Sequence, residues 1–563
     1  MTQHRLRSGG QILVDQLLIH GTDMAFCVPG ESYLEVLDAL YDAAPRIRLI
    51  NARHEAGAAN MAEAYGKLTG RPGICLVTRG PGACQASVGV HTAFQDSTPM
   101  ILLIGQVGRD MIDREAFQEI DYRQMFGPVA KWAAQIDRAE RVPEYLSRAF
   151  HVATSGRPGP VVLALPEDML TDRVAVADGE RYAVAKPHAG PADLARVRRL
   201  MEQAQRPLLL VGGPDWTDES CSQIVAFAEA NNIPACCSFR RQDAFDNSSR
   251  VYAGDIGTSG PPALIKRAKD ADLLIVVGAR LGDMTTQGYT IMDSPKPRQK
   301  LVHVHADADE LGRVYRPTLA IQASSESFAA LAAAMDPVDG RRWAAWTEQA
   351  HADYLESLKP TPYNGAFDFG RALADIRTRL PQDLIVTIDA GNHTGWPQRY
   401  LIYRRPGRQI GPTSGAMAYA VPAAVAAKLV DPDRLVIAFM GDGGFMMCGQ
   451  EMSTAVQYGA NVICILANNE MYGTIRMHQE REHPGRVVGT DLKNPDFTEF
   501  ARALGCHAER VERTDQFAPA LDRAIASGKP AVIELRTDPE LVSTRTTISA
   551  LREKALARAE EHA

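Results

Sequence analysis

Residues 435–445 read Leu435-Val436-Ile437-Ala438-Phe439-Met440-Gly441-Asp442-Gly443-Gly444-Phe445, an apolar run that ends abruptly in Gly-Asp-Gly-Gly. A short apolar run without alternation marks a strand buried on both faces, as in parallel sheets covered by helices. The next such run, Val462-Ile463-Cys464-Ile465-Leu466, leads into Asn468-Asn469. Both loops are therefore expected at the carboxyl edge of one parallel sheet, where doubly wound folds bind ligands. Gly441, Gly443 and Gly444 let the backbone approach a diphosphate closely, and a helix predicted to start near Phe445 directs N–H groups toward it. Asp442 and the Asn469 side-chain oxygen are hard donors that suit Mg²⁺, which shares its remaining positions with phosphate oxygens. A lone Gly-Asp-Gly is as readily a turn. The double Asn at the end of the next strand makes the pair a phosphate–metal candidate.

The same texture extends upstream. Leu384-Ile385-Val386-Thr387-Ile388 belongs to the same segment. A middle segment carries Pro207-Leu208-Leu209-Leu210-Val211-Gly212-Gly213, Asp272-Leu273-Leu274-Ile275-Val276-Val277-Gly278 and Leu301-Val302-His303-Val304-His305. The first segment carries Gly73-Ile74-Cys75-Leu76-Val77-Thr78, Met100-Ile101-Leu102-Leu103-Ile104-Gly105 and Pro160-Val161-Val162-Leu163-Ala164-Leu165. A polar linker near 172–192 and a charged helical stretch near 336–362 separate them. With 563 residues, too many for one core, the pattern predicts an α/β fold of three doubly wound parallel-sheet domains. Their expected bounds are 1–180, 190–340 and 360–550, with a helical tail over 551–563.

Composition narrows the function. Hydrophobic residues are 45% and charged residues 23%, with a net charge of −7, which argues against nucleic acid or an anionic membrane as the main partner. No stretch is long and apolar enough to span a bilayer. The opening MTQHRLRSGGQILVDQLLIHG reads as the first helix of a domain and carries no export signal. Nine cysteines without a C-x-x-C pair, mostly in apolar runs, read as reduced buried thiols of a cytoplasmic protein.

Further motifs carry a family resemblance. Arg53-His54-Glu55-Ala56-Gly57-Ala58-Ala59 is followed by Met61-Ala62-Glu63-Ala64-Tyr65-Gly66. Val77-Thr78-Arg79-Gly80-Pro81-Gly82-Ala83, Ala116-Phe117-Gln118-Glu119 and Ser155-Gly156-Arg157-Pro158-Gly159-Pro160-Val161 complete the first segment. Ser414-Gly415-Ala416-Met417-Ala418-Tyr419-Ala420-Val421-Pro422 precedes the Gly-Asp-Gly motif. Together they resemble the thiamine-diphosphate-dependent enzymes of the acetolactate-synthase-like group.

The resemblance implies a pyrimidine-binding domain, a central Rossmann-like domain and a diphosphate-binding domain, with thiamine diphosphate and Mg²⁺ as cofactors. Thiamine diphosphate supplies a carbon nucleophile and an electron sink for chemistry beside a carbonyl. Glu55 is then the carboxyl that shares a proton with the pyrimidine nitrogen N1′, a role favoured for an acid in a dry pocket. Read without the family, Glu55 is equally a helix-start carboxylate. Met417 corresponds to the side chain that wedges the coenzyme into its bent form, and the Gly415 carbonyl to the acceptor of the pyrimidine amino group. Gly391, Asn392 and His393 match the family's Gly-Gln-His diphosphate loop, with Asn in place of Gln. Met471, Tyr472 and Gly473 extend the diphosphate site, Met471 joining Asp442 and Asn469 at the metal. Phe117 and Gln118 stand over the reacting carbonyl. Gly30, Glu31 and Ser32 replace the pattern Pro-Gly-Gly-Ala; they either face the thiazolium or open a helix at Tyr33.

Other positions depart from the acetolactate synthases. His478 stands where they carry a tryptophan shaping the acceptor pocket, Pro166-Glu167-Asp168 replaces Pro-Lys-Asp, and the tail from Leu541 lacks the usual capping segment. Gly278-Ala279-Arg280 and His305-Ala306-Asp307 resemble positions near FAD in relatives that carry it, without a G-x-G-x-x-G. The expected activity is decarboxylation of a pyruvate-like 2-oxo acid, ligation of its carbanion to a second carbonyl of an oxo acid or aldehyde, or both. An acyl-CoA lyase or decarboxylase is the alternative, with Arg240-Arg241 and Lys266-Arg267 as candidates for its basic nucleotide pocket. A degenerate homologue without catalysis is disfavoured because Glu55, Asp442 and Asn469 are all present. In the family each site is shared between two chains, which implies a homodimer at least and, by expectation, a homotetramer.

Overall fold

The computed structural model describes residues 5–258 and 260–561. The last two residues of the expected tail and the first four of the opening helix reading lie outside them. Three six-stranded sheets, each entirely parallel, organise the chain. The first runs in the order Arg48–Asn51, Met24–Cys27, Gly73–Val77, Met100–Gln106, Pro160–Pro166, Trp132–Gln135. The second runs Tyr252–Asp255, Ala235–Cys237, Pro207–Val211, Leu273–Val277, Lys300–His305, Leu319–Gln322. The third runs Gln409–Ile410, Ile385–Ile388, Val436–Gly441, Ile463–Asn468, Ala531–Arg536, His507–Val511.

The apolar runs have their physical cause in this layering. In the second sheet Leu209, Val211, Ile275 and Val277 enter one core, while Leu208, Leu210, Leu274 and Val276 enter another on the opposite face. Every position of a central strand is thus buried, and alternation disappears. One compact unit comprises the chain to Ala185 together with Val425–Val430; the other comprises Lys186–Ala424 and the chain from Asp431.

The opening helix spans Gly9–Ile19, where Ser8 and Gln11 form a reciprocal capping box. The tail forms a helix over Ile548–Glu561 that lies on the helix Gly473–Glu482. Met471, Val542 and Ile548 make a small core there, joined by Met477 and Leu551. The buried Glu480 carboxylate pairs with Arg552, which holds its pKa down to about 2. Among the described residues no helix is long and apolar enough to cross a membrane. All nine cysteines are unbridged; eight are buried and Cys84 is exposed.

Candidate functional site

The third sheet builds a cavity of about 250 Å³ at its carboxyl edge. Its floor is the Gly-Asp-Gly-Gly turn, and its walls include Gly391, His393, Met417, Asn469, Met471 and Tyr472. Gly441 is extended and caps a helix that begins at Asp442. The helix therefore starts three residues earlier than the sequence predicts, and the glycines form its first turn. Crowding explains why they are glycines. A Cβ at Gly443 would lie 2.5 Å from the Tyr472 ring, and one at Gly444 would lie 2.2 Å from Asp389 Oδ2. Gly391 has φ +132°, a conformation open to glycine.

Asp442 is buried, and burial raises its pKa above the ordinary carboxylate value. Its Oδ1 accepts the Gly443 N–H at 3.0 Å, and its Oδ2 accepts the Glu470 N–H at 2.9 Å and the Asn494 amide at 2.8 Å. Asn494 also donates to Asn468 Oδ1 at 3.0 Å, and Asn468 donates to the buried Glu534 at 2.7 Å. Asn468 is thus a brace, whereas Asn469 lines the cavity with Oδ1 3.3 Å from the Met471 N–H. This donor set, a carboxylate and an amide oxygen beside a glycine turn free of side chains, fits a magnesium diphosphate.

Asn392 does not simply shorten the family's Gln. Its amide oxygen accepts from Thr474 Oγ1 at 3.1 Å and its own N–H donates to the same oxygen at 3.0 Å, tying the loop to the helix Gly473–Glu482. His393 has Nε2 buried without a partner; burial and then the neighbouring Arg240 push its pKa down to about 3. Asp389, at the end of strand Ile385–Ile388, is fully buried, and burial pushes its pKa up to about 6. Its Oδ1 accepts the Tyr419 N–H at 2.7 Å, which anchors the segment carrying Gly415 and Met417. Arg240 reaches in from the second sheet to donate to the carbonyls of Asp389 and Pro412, both at 2.7 Å. Asp389 and Asn494 were not among the residues the sequence singled out, and Arg240 was singled out only for a nucleotide pocket. His478 is exposed on the helix Gly473–Glu482, is not among the cavity's lining residues, and its Nδ1 lies 2.6 Å from Arg481.

In the first unit, Glu55 is the leading residue of the helix Glu55–Thr69. That helix is already capped by His54, whose Nδ1 accepts the Ala56 N–H at 3.1 Å, so capping does not require the Glu55 carboxylate. A Cβ at Gly82 would stand 3.4 Å from Glu55 Oε1. Phe117 is 74% exposed, while Gln118, with φ +68°, packs on Gly80. Arg79 draws this region together: it pairs with Glu167 at 3.0 Å and Glu31 at 3.3 Å, and donates to the Phe117 carbonyl at 3.3 Å. Ser32 belongs to the turn that opens the next helix, the second of its two readings. It is fully buried, and its Oγ lies 2.9 Å from Thr78 Oγ1 and accepts the Arg79 N–H at 3.3 Å. Glu31–Tyr33 forms a short 3₁₀ turn leading into the helix Leu34–Ala43, and Gly30 lies against Thr78.

The second sheet offers little to a nucleotide. Arg240 is engaged as described, Lys266 pairs with Asp270, and Arg267 pairs with Asp353 at 2.9 Å. Gly278 packs against Gly212 and Ser325, where a Cβ would come within 2.4 Å of the Gly212 carbonyl. Arg280 pairs with Glu310 at 3.3 Å. These glycines serve the packing of the protein on itself.

A glycine cradle with hard oxygen donors at the edge of one parallel sheet, together with a carboxylate leading a helix on another, defines a diphosphate-binding α/β protein. Comparison with known sequences makes this specific. The family descriptions "Thiamine pyrophosphate enzyme, N-terminal TPP binding domain", "central domain" and "C-terminal TPP binding domain" match residues 7–125, 194–332 and 389–535. The chain is 31% identical to acetolactate synthase isozyme 2 large subunit of Escherichia coli K12, covering 94% of this chain and 96% of that one. It is 31% identical to the acetolactate synthase large subunit of Corynebacterium glutamicum, over 94% and 86% of the two chains. The corresponding Parasynechococcus marenigrum subunit is 32% identical over 94% and 87%. The chain belongs to the thiamine-diphosphate-dependent enzymes, in the acetolactate-synthase-like group.

Proposed function

We propose that this enzyme uses thiamine diphosphate and Mg²⁺ to decarboxylate a pyruvate-like 2-oxo acid, to ligate the resulting acyl unit to a second carbonyl, or both in sequence. The observation that carries the proposal is the glycine cradle of the third sheet with Asp442 and Asn469 at its rim. Asp442, Asn469 and Met471 would hold the metal, and Gly441, Gly443, Gly444, Gly391 and Gly473 the diphosphate. When bound, thiamine diphosphate supplies the carbon nucleophile and the electron sink. Glu55 holds a proton at the pyrimidine N1′ atom, and Met417 and Gly415 orient the coenzyme. Neutral His393 adds no cationic charge to the cradle. Phe117, Gln118 and Glu31 face the substrate, with Arg79 restraining the Phe117 loop. Unbridged buried thiols suit a reducing cytoplasm.

The acyl-CoA reading loses support because three of its four nominated basic residues are engaged in internal contacts. A panel of 2-oxo acids, each supplied with aldehyde and oxo-acid acceptors and followed by product NMR, tests the proposal. The expected products are carbon dioxide with an aldehyde or a hydroxyketone. Turnover of acyl-CoA esters with no reaction of any 2-oxo acid would overturn it. An absorption spectrum of the purified chain decides separately whether flavin accompanies it.

A further inference from the structure

A second cavity, of about 320 Å³, opens on the third sheet at the amino end of the strand Ile385–Ile388. The diphosphate cradle lies at the opposite edge of that strand, beyond Asp389. Arg377, Arg404 and Arg408 line the second cavity, with Thr378, Gln382 and Tyr403. One arginine after the helix Phe369–Ile376 is ordinary, because helix carboxyl ends favour cations. Three are not accounted for in that way.

Among the described residues they lack carboxylate ion-pair partners. Arg408 is 7% exposed, and its Nε is buried without a hydrogen bond. Among the described residues its side chain hydrogen-bonds to the neighbouring carbonyls of Pro406 and Gly407 alone, at 3.3 and 3.4 Å. Arg377 Nη1 and the Tyr403 hydroxyl are likewise buried without partners. Among the described residues no carboxylate forms an ion pair with Arg377, Arg404 or Arg408. Asp243 accepts only the backbone N–H of Arg408, at 3.0 Å, and Asp383 and Asp431 turn to Arg434. A guanidinium withdrawn from water without a counter-charge is costly, and its planar fork matches carboxylate and phosphate oxygens.

We infer that this cavity is a binding site for a small, multiply charged oxyanion, separate from the coenzyme site. Its shared chemistry is a cluster of carboxylate or phosphate oxygens taken up by the three arginines. Inorganic phosphate and tricarballylate (propane-1,2,3-tricarboxylate) are the probes, titrated calorimetrically into the full chain loaded with thiamine diphosphate and excess Mg²⁺. Sodium chloride of matched ionic strength serves as the control. At least one probe should bind saturably and raise the melting temperature, and the stronger of the two identifies phosphate or carboxylate as the natural class. Arg377→Gln and Arg408→Gln should each weaken binding by about tenfold to a hundredfold, as expected for loss of a charge-assisted hydrogen bond. Arg404→Gln, at an exposed position that folding does not depend on, should weaken it several-fold and reduce its salt dependence. Absence of saturable binding for both probes, or affinity unchanged in Arg404→Gln and in whichever of Arg377→Gln and Arg408→Gln folds, would overturn the inference.

Discussion

At the scale of single residues, the two acids most central to the site sit in unlike settings. Glu55 leads a helix that His54 already caps, which leaves its carboxyl free of a capping duty and available for the proposed role at the coenzyme. Glu55→Gln should retain coenzyme binding and lose activity by about 10²–10⁴, the usual range for a general acid–base group. Turnover within a few-fold of the parent would remove Glu55 from the mechanism. Asp389 is sealed in the protein, and its pKa is raised to about 6. Between its ordinary value near 3.8 and about 6, the native carboxyl keeps a proton that the unfolded chain releases. Its effect on stability is therefore favourable on acidification through that window and is lost as pH rises above about 6. Asp389→Asn, which is neutral throughout, should be more stable than the parent at pH 8 in paired urea titrations. That advantage should shrink as the buffer is taken through 6 toward 4. A constant difference between the two proteins would refute the raised pKa.

At the scale of elements, the site depends on strands delivering glycines to one edge. Gly444 has no room for a methyl group, because Asp389 Oδ2 stands 2.2 Å from where its Cβ would be. Gly444→Ala should cut coenzyme affinity by at least about tenfold, with an ordinary fold by circular dichroism. Gly282→Ala, where nothing lies within 4 Å of the added atom, should leave affinity unchanged. Equal affinity in both variants would show that the turn is not under the constraint described. These elements also mark what could be read in advance. Val436–Gly441 and Ile463–Asn468 were legible because burial on both faces writes an unbroken apolar run. Leu319–Gln322, with alternate residues exposed, and the two-residue Gln409–Ile410 are edge strands, and their sequences carry no such run. Gly441 to Gly444 and Asn469 were legible because chemistry and spacing coincide along the chain. Asn494 and Asp389 were not, nor was the bracing role of Arg240, because only tertiary folding brings them to Asp442 and to the segment that carries Met417. Ser32 stayed open between two readings because a hydroxyl beside a site motif gives no sign in sequence of which way it faces; only the fold sets it against Thr78.

At the scale of the whole molecule, apolar side chains remain uncovered beside the site residues. Phe117 is 74% exposed and Leu34 62% in the first unit; Met446, Met447 and Ile475 are about half exposed in the second. Surfaces of this kind suit an interface, and we propose that a second copy covers them, in a homodimer at least and by expectation a homotetramer. Each site would then take Glu55 from one chain and Asp442 from the other. Mixing Glu55→Gln subunits with Asp442→Ala subunits under exchange conditions should restore activity, because a mixed dimer has one site with both residues intact. A sample shown by mass spectrometry to be mixed, yet inactive, would refute sharing.

The burial of eight of the nine cysteines has a practical consequence. Cys84 lies two residues beyond Gly82, whose missing side chain makes room beside Glu55, so the chain offers a single exposed thiol, on the helix that packs against Glu55. A maleimide dye should attach once per native chain and nine times in denaturant. The attached dye would then serve as a fluorescent reporter of events around Glu55, without any engineered residue.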